Sequence, residues 1–294
     1  MNTEAYRFKL GSFECIAVSD GTFIYAPPHF PPPSTFLFIN APKEKLEPAL
    51  GEHKLTSEQW GQWVSPYICL LVKTEEHLVL ADTGAQGLSP STGKLLQNLH
   101  DAGIAPGDID TVIITHVHPD HIGGNLDNQG EPNFPNARYV MWKGEWDFWT
   151  SPQAQERVAK QGGEILVAFA RKSLPPIKDR LILIDHETEV VPGIQALAAP
   201  GHTPGHMALS ISSNNEQLLC IGDVVLHPIH LEQPDWRAGT DFIPEQLVTT
   251  RRRLLSMAVA NNALVLAFHF PFPGLGHVIP KGEAWQWQPI EVMS

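Results

Sequence analysis

The chain has 294 residues, 43% hydrophobic and 18% charged, enough apolar mass for one large α/β domain or two small ones. Its formal net charge of −12 disfavours nucleic acid as a partner, because phosphate binding needs clustered Lys and Arg, and no apolar run reaches the roughly 18 residues of a membrane span. The N-terminus lacks the basic start and long apolar segment of a secretory signal. Cys15, Cys69 and Cys220 are odd in number and without CxxC spacing, so buried free thiols in a reducing, cytoplasmic compartment are expected.

In chain order, FECIAVSDGTF (13–23) reads as a strand entering a turn, followed by the proline cluster PPHFPPP (27–33), which suits a lid or a dimer arm. We take residues 1–60 as an N-terminal extension of a single domain spanning 1–294, since no linker divides the chain. SPYICLLVKTEEHLVLADTG (65–84) predicts a hairpin, and STGKLLQNLHDAGI (91–104) a helix with Leu95, Leu96 and Leu99 on one side. DIDTVIITH (108–116) is nearly all apolar, as expected of a strand buried on both faces. ARYVMW (137–142) and RLILID (180–185) are further strands. In MWKGEWDFW (141–149), Trp142, Trp146 and Trp149 fall at i, i+4, i+7, a stripe better suited to core packing than to a ligand.

IQALAAPGH (194–202), MALSISS (207–213) and EQLLCIGD (216–223) continue the strands. An amphipathic helix near 244–260 carries Arg251, Arg252 and Arg253, read as a solvated face, and ALVLAFHF (263–270) follows it. GHVIPKGEAWQWQPI (276–290) ends the chain as a hairpin-like edge. Strands outnumber helices, and the order suits two packed sheets with helices outside.

The chemistry concentrates in THVHPDHIGG (115–124). A buried strand ends at His116, and Pro119 discourages its continuation. One loop can then aim His116 and His118 at one point and Asp120 and His121 at a neighbouring one. Neutral imidazoles and a carboxylate are good ligands for a borderline divalent ion. A purely structural zinc site would be cysteine-rich.

This stretch resembles the hallmark HxHxDH of the metallo-β-lactamase superfamily, and APGHTPGH (199–206), IGD (221–223) and AFHF (267–270) follow in the family's order. The resemblance implies an α/β, four-layer αββα sandwich. By it, His116, His118 and His202 hold one divalent metal, Asp120, His121 and His269 the second, and Asp223 bridges both. Zinc is the expected ion, with manganese, iron or cobalt also compatible. Asp82 is implied to support the ligand loop without ligating, and His206 to brace a loop. His227 and His230 either line the pocket or sit on its rim.

Two such ions would share a bridging hydroxide, the expected nucleophile, with Asp120 and Asp223 as the catalytic carboxylates; no GxSxG or Cys/His pair competes for that role. True β-lactamases lack the bridging aspartate. Glyoxalase II shares THxHxDHxGG and HTPGH but adds a long C-terminal helical segment, where 25 residues follow His269 here, so a thioester hydrolase ranks second. Nucleases of the superfamily carry basic arms. A non-catalytic di-iron redox module would call for a flavin domain. VSDGTF, GDVVLHP, QPDW and HFPFPGLGHV most resemble the group of methyl parathion hydrolase and the N-acyl homoserine lactonases, in which dimers are common.

The expected substrate is therefore a neutral, apolar small molecule, an ester, lactone or phosphotriester. Well-known lactonases place a Tyr three residues after the bridging Asp, where this chain has Leu226. With eight tryptophans and thirteen phenylalanines available, Leu226, Phe270, Phe272 and Trp146 are the candidate pocket residues.

Overall fold

Two seven-stranded sheets carry the chain in the computed structural model, which describes residues 4–160 and 162–292. The first holds β1 (Ala5–Leu10), β2 (Phe13–Tyr25), β3 (Trp63–Lys73), β4 (Leu78–Ala81), β5 (Thr111–Ile114), β6 (Arg138–Trp142) and β7 (Leu181–Ile184), side by side in that order. The second runs from β8 (Thr188–Val191) through β9 (Ile194–Ala198), β10 (Met207–Ser213), β11 (Glu216–Cys220), β12 (Leu264–Leu266) and β13 (Leu275–Lys281) to the edge strand β14 (Ala284–Pro289). The strands β4 to β7 pair in parallel, as do β11 and β12; all other pairs are antiparallel.

Side-chain alternation builds the layers. Cys15 and Ala17 of β2 and Ile68, Leu70 and Val72 of β3 point inward, where they meet Ile194, Leu209, Ile211 and Leu218 of the second sheet. The intervening Ile16, Val18, Cys69 and Leu71 point outward against Leu95, Leu99, Trp149 and Val167 of the flanking helices. On the far side, Leu254, Leu255 and Ala258 of helix Pro244–Ala260 cover Leu219, Ile221 and Val265. Each buried leucine of that helix contributes about 2 kcal/mol by leaving water. The result is the expected αββα sandwich. All three cysteines are buried and unpaired, and no helix among the described residues is long and apolar enough to cross a membrane.

Three local readings need correction. Much of the first sixty residues is no appendage: β1 and β2 form one edge of the first sheet, and β2 pairs with β3 along its length. Only the segment after β2 stands apart, where Phe36, Leu37, Phe38 and Leu50 pack on Leu226, Ile229 and Trp236 in a cluster of their own. Arg251 is not solvated. It is 1% exposed, and its guanidinium donates to the carbonyls of Val224 (2.8 Å), Pro234 (2.8 Å) and Trp236 (2.6 Å), tying down the chain after Asp223, while Arg252 and Arg253 pair with Asp235 and Glu187 at the surface. The strand predicted over 263–270 stops at Leu266, because the chain turns there and the Phe270 N–H bonds back to the Ala267 carbonyl.

Candidate metal centre

Every predicted ligand leaves the C-terminal end of a strand: His116 to His121 follow β5, His202 follows β9, Asp223 follows β11 and His269 follows β12. Both sheets therefore deliver side chains to one end of the sandwich. After β5, Pro119 opens a single helical turn, Pro119–Ile122, which suits a residue with fixed φ and no N–H to lose. That turn throws His118 to one side and Asp120 and His121 to the other. Gly124 lets it sit against the Asp82 loop, since a Cβ there would lie 2.0 Å from the Thr83 carbonyl oxygen.

Two clusters result. His116, His118, His202 and Asp223 form one, and Asp120, His121 and His269 the other, the potential ligand atoms within each lying within 4.8 Å of one another. Nδ1 of His118 lies 3.0 Å from Nε2 of His116 and 2.9 Å from Nε2 of His202. Asp223 stands between the clusters. Its Oδ2 is 3.2 Å from Nε2 of His202, and its Oδ1 is 3.2 Å from Nε2 of both His121 and His269. Oδ2 of Asp120 is 3.7 Å from His121 and 3.6 Å from His269.

The outward nitrogens of these rings are held by partners that set their tautomers. Nδ1 of His121 donates to Asp82 (2.8 Å), Nδ1 of His202 donates to Asp241 (2.8 Å), and Nδ1 of His269 lies 2.8 Å from the Ser65 hydroxyl. Each Nε2 then turns a lone pair inward. Asp82, held at φ +61, also accepts from the Thr115 N–H and hydroxyl, both at 2.8 Å. His206 accepts the Asp223 N–H at 3.1 Å and so braces Asp223.

Metal fit is tested by what faces inward. Nε2 of His121 and Oδ1 of Asp223 are buried, 3.2 Å apart and without a hydrogen-bond partner. Lone pairs this close repel unless positive charge lies between them, so the donor set fits a cation in each cluster. The electrostatics agree. Burial holds His116 and His118 well below the ordinary imidazole range. At His121 and His202 burial acts the same way, but Asp223 with Asp82 or Asp241 outweighs it and raises both, His202 to about 9.

Above the clusters lies a cavity of about 150 Å³, the space of one benzene-sized ring. His118, Asp120, His202, Asp223 and His269 form its floor, and Phe23, Tyr25, Phe30, Phe36, Trp63, Leu88, Ile165, Leu166 and Leu226 its apolar walls. Among the described residues no lysine or arginine lines it. Of the candidate pocket residues, Leu226 is on the wall. Phe270, Phe272 and Trp146 are not. The turn after β12 sends Phe270 away from His269 into the far core, 4.9 Å from the Trp287 ring, and Phe272 against the inter-sheet core. Helix Lys143–Thr150 begins after Trp142, and Trp146 packs on the outer core while Trp149 comes within 6.0 Å of the His118 ring.

His227 and His230 also lie off the pocket. His230 accepts the Leu226 N–H and donates to the Leu37 carbonyl, and His227 packs among Phe38, Trp60 and His53. Burial holds His227 down to about 3.

Sequence reading missed Glu145. Its buried carboxylate accepts from the Val117 N–H, the Trp149 indole, the Thr203 hydroxyl and the Gly205 N–H at 2.7–2.9 Å, lashing the His116–His121 loop to the His202 loop. It also missed Asp241 and the pocket wall of β2 and β3. Alternation in TFIY and WVSPY, which turns Phe23, Tyr25, Trp63 and Ser65 to one side and leaves Ile24 and Val64 half-exposed, was the available signal for that wall.

Comparison with known proteins agrees with this geometry. The family model described as the metallo-beta-lactamase superfamily matches residues 65–269, more than half of the chain. An N-acyl homoserine lactonase of Bacillus sp. is 31% identical over 50% of this chain; the chain spans about six tenths (59%) of that relative's length. Two solved structures align over 100% of both chains: AidC, a dizinc quorum-quenching lactonase in complex with a product (28% identity, TM-score 0.85), and the hydrolase AbOPH in the beta-lactamase superfamily (27% identity, TM-score 0.87).

Proposed function

The chain belongs to the metallo-β-lactamase superfamily, and from that membership we propose that it is a dinuclear metal-dependent hydrolase opening neutral, apolar esters and lactones. His116, His118 and His202 would hold one divalent ion and Asp120, His121 and His269 the other, with Asp223 between them. Zinc is the ion we assign, in keeping with the dizinc relative, although the His/Asp set also accommodates manganese, iron or cobalt. Such a pair would supply Lewis acidity and lower the pKa of a water held there towards neutrality.

The chain's own residues orient and exclude. Asp82, Asp241 and Ser65 hold the imidazoles in register, Asp120 and Asp223 are the carboxylates for the attacking water's proton, and the aromatic walls exclude solvent. A lactone ring suits the cavity, and an acyl chain would leave through its mouth. N-acyl homoserine lactones are the first candidates because relatives act on them. The absence of any cation on the wall also admits a neutral phosphotriester.

The observation that carries this reading is the pair of His/Asp clusters meeting at Asp223 on the floor of a pocket with apolar walls. Metal analysis followed by assay on a lactone, an aryl ester, a phosphotriester and a thioester tests it. We expect about two metals per chain, lactone and ester turnover, loss on chelation and return with zinc or cobalt. Full activity in metal-free protein, or turnover of the thioester alone, would overturn it.

A further inference from the structure

The pocket wall holds a polar device besides the clusters. Tyr25 closes β2, Tyr67 lies in β3, and their hydroxyls are 2.9 Å apart. Tyr67 is fully buried, its ring 5.5 Å from that of His269. Among the described residues its hydroxyl meets only that of Tyr25, and only Tyr25 reaches the pocket lining. Trp63 stacks on Tyr25 at 4.9 Å and stands 5.7 Å from the His269 ring, so the phenol lies on the His269 side of the floor.

Two hydroxyls carry two protons, and the bond between them uses one. If Tyr25 donated it, the Tyr67 proton would be buried without an acceptor, at a substantial cost. Tyr67 therefore donates, and the Tyr25 proton is left for the pocket. A hydroxyl that is itself accepting a hydrogen bond is the stronger donor. Among the described residues the only other hydroxyl on the lining is that of Thr240, which has no such partner.

We propose that Tyr25 is a catalytic residue: it donates a hydrogen bond to the acyl oxygen of the bound ester or lactone as that oxygen gains negative charge. This rests on the hydrolase reading above. No proton changes owner in the contact. The oxygen of water bonds to the acyl carbon and gives a proton to the carboxylates of the floor, Asp120 and Asp223, while the C=O pair shifts onto the acyl oxygen. The pair returns as the bond to the leaving oxygen breaks, the leaving oxygen takes up that proton, and Tyr25 keeps its own throughout.

The test is Y25F in the metal-loaded enzyme, which keeps the ring stack on Trp63 and removes only the hydroxyl. Loss of one preorganised donor predicts a fall in kcat of about 10²-fold on a lactone and an aryl ester alike, with KM nearly unchanged. Binding of a phosphonate analogue of the tetrahedral species, followed by calorimetry, should weaken by a similar factor at unchanged metal content. Y67F, which leaves the Tyr25 proton in place, should lose less than Y25F. An unchanged kcat in Y25F, a loss confined to KM, or a loss confined to poor leaving groups overturns the assignment while the wild type remains a hydrolase. A wild type inert on every substrate removes the hydrolase reading and this assignment together.

Discussion

At the scale of single residues, the centre depends on groups that never face the pocket. Asp82 holds its three acceptor contacts at a positive φ that Asn also tolerates, so Asp82→Asn removes charge with little backbone cost. We expect metal affinity, read by competition with a chromogenic chelator, to fall about 10- to 100-fold; unchanged affinity would mean the tautomer of His121 is set elsewhere. Glu145→Gln replaces a carboxylate accepting four hydrogen bonds with an amide that brings donors of its own. Stranding a buried donor costs about 1–3 kcal/mol, so the urea midpoint should drop measurably, with the ligand loops loosened together. The residues of the two clusters were legible in the sequence, because five of the positions lie in HVHPDH and in APGH, where spacing alone restricts the chemistry. Glu145 was not, for its donors come from residues 117, 149, 203 and 205, and nothing local marks their meeting.

At the scale of elements, strand ends set where chemistry occurs and turns set what it sees. The proximity of Phe270 to His269 in sequence suggested a pocket wall, yet the turn after β12 reverses the side chain's direction. The walls come instead from the ends of β2 and β3, the proline-rich segment and helix Glu164–Ser173. Of the two roles suggested for that proline segment, the cover is favoured, since Phe30 within it and Phe36 just after it both line the pocket. The close seating of the His116–His121 turn on the Asp82 loop gives a sharper test. In Gly124→Ala the new Cβ would fall 2.0 Å from the Thr83 carbonyl, forcing the loops apart. Overpacking of this kind costs about 1–3 kcal/mol, and metal retention on dialysis should fall with it. Normal retention would show that the loops can shift without disturbing the ligands.

At the scale of the whole molecule, a histidine largely withdrawn from water makes stability depend on pH. Burial holds His227 down to about 3, below the ordinary 6.5, so the unfolded chain binds the extra proton. Its contribution is complete above about pH 6.5 and is lost progressively as pH falls towards 3. His227→Asn keeps an acceptor for the Ile229 N–H. It should make the acid limb of a stability–pH curve shallower by one proton, about 1.4 kcal/mol per pH unit. An unchanged slope would mean His227 is charged in the folded state. Chelation should act in the same currency: losing a ligand present at 1,000 times its Kd removes about 4 kcal/mol, seen as a lower melting midpoint that zinc restores.

The sequence by itself determined the alternation that makes two sheets and the strand-end positions of seven His and Asp side chains. Each of these is carried by residues adjacent in the chain or repeated at a fixed period. Only the tertiary structure decided which ring nitrogens face the centre of each cluster, that Arg251 caps buried carbonyls, and that Tyr25 is the phenol of the pocket. Those outcomes depend on which segments meet across dozens of residues, and hydrophobicity, being without direction, leaves that choice to the packing of the whole.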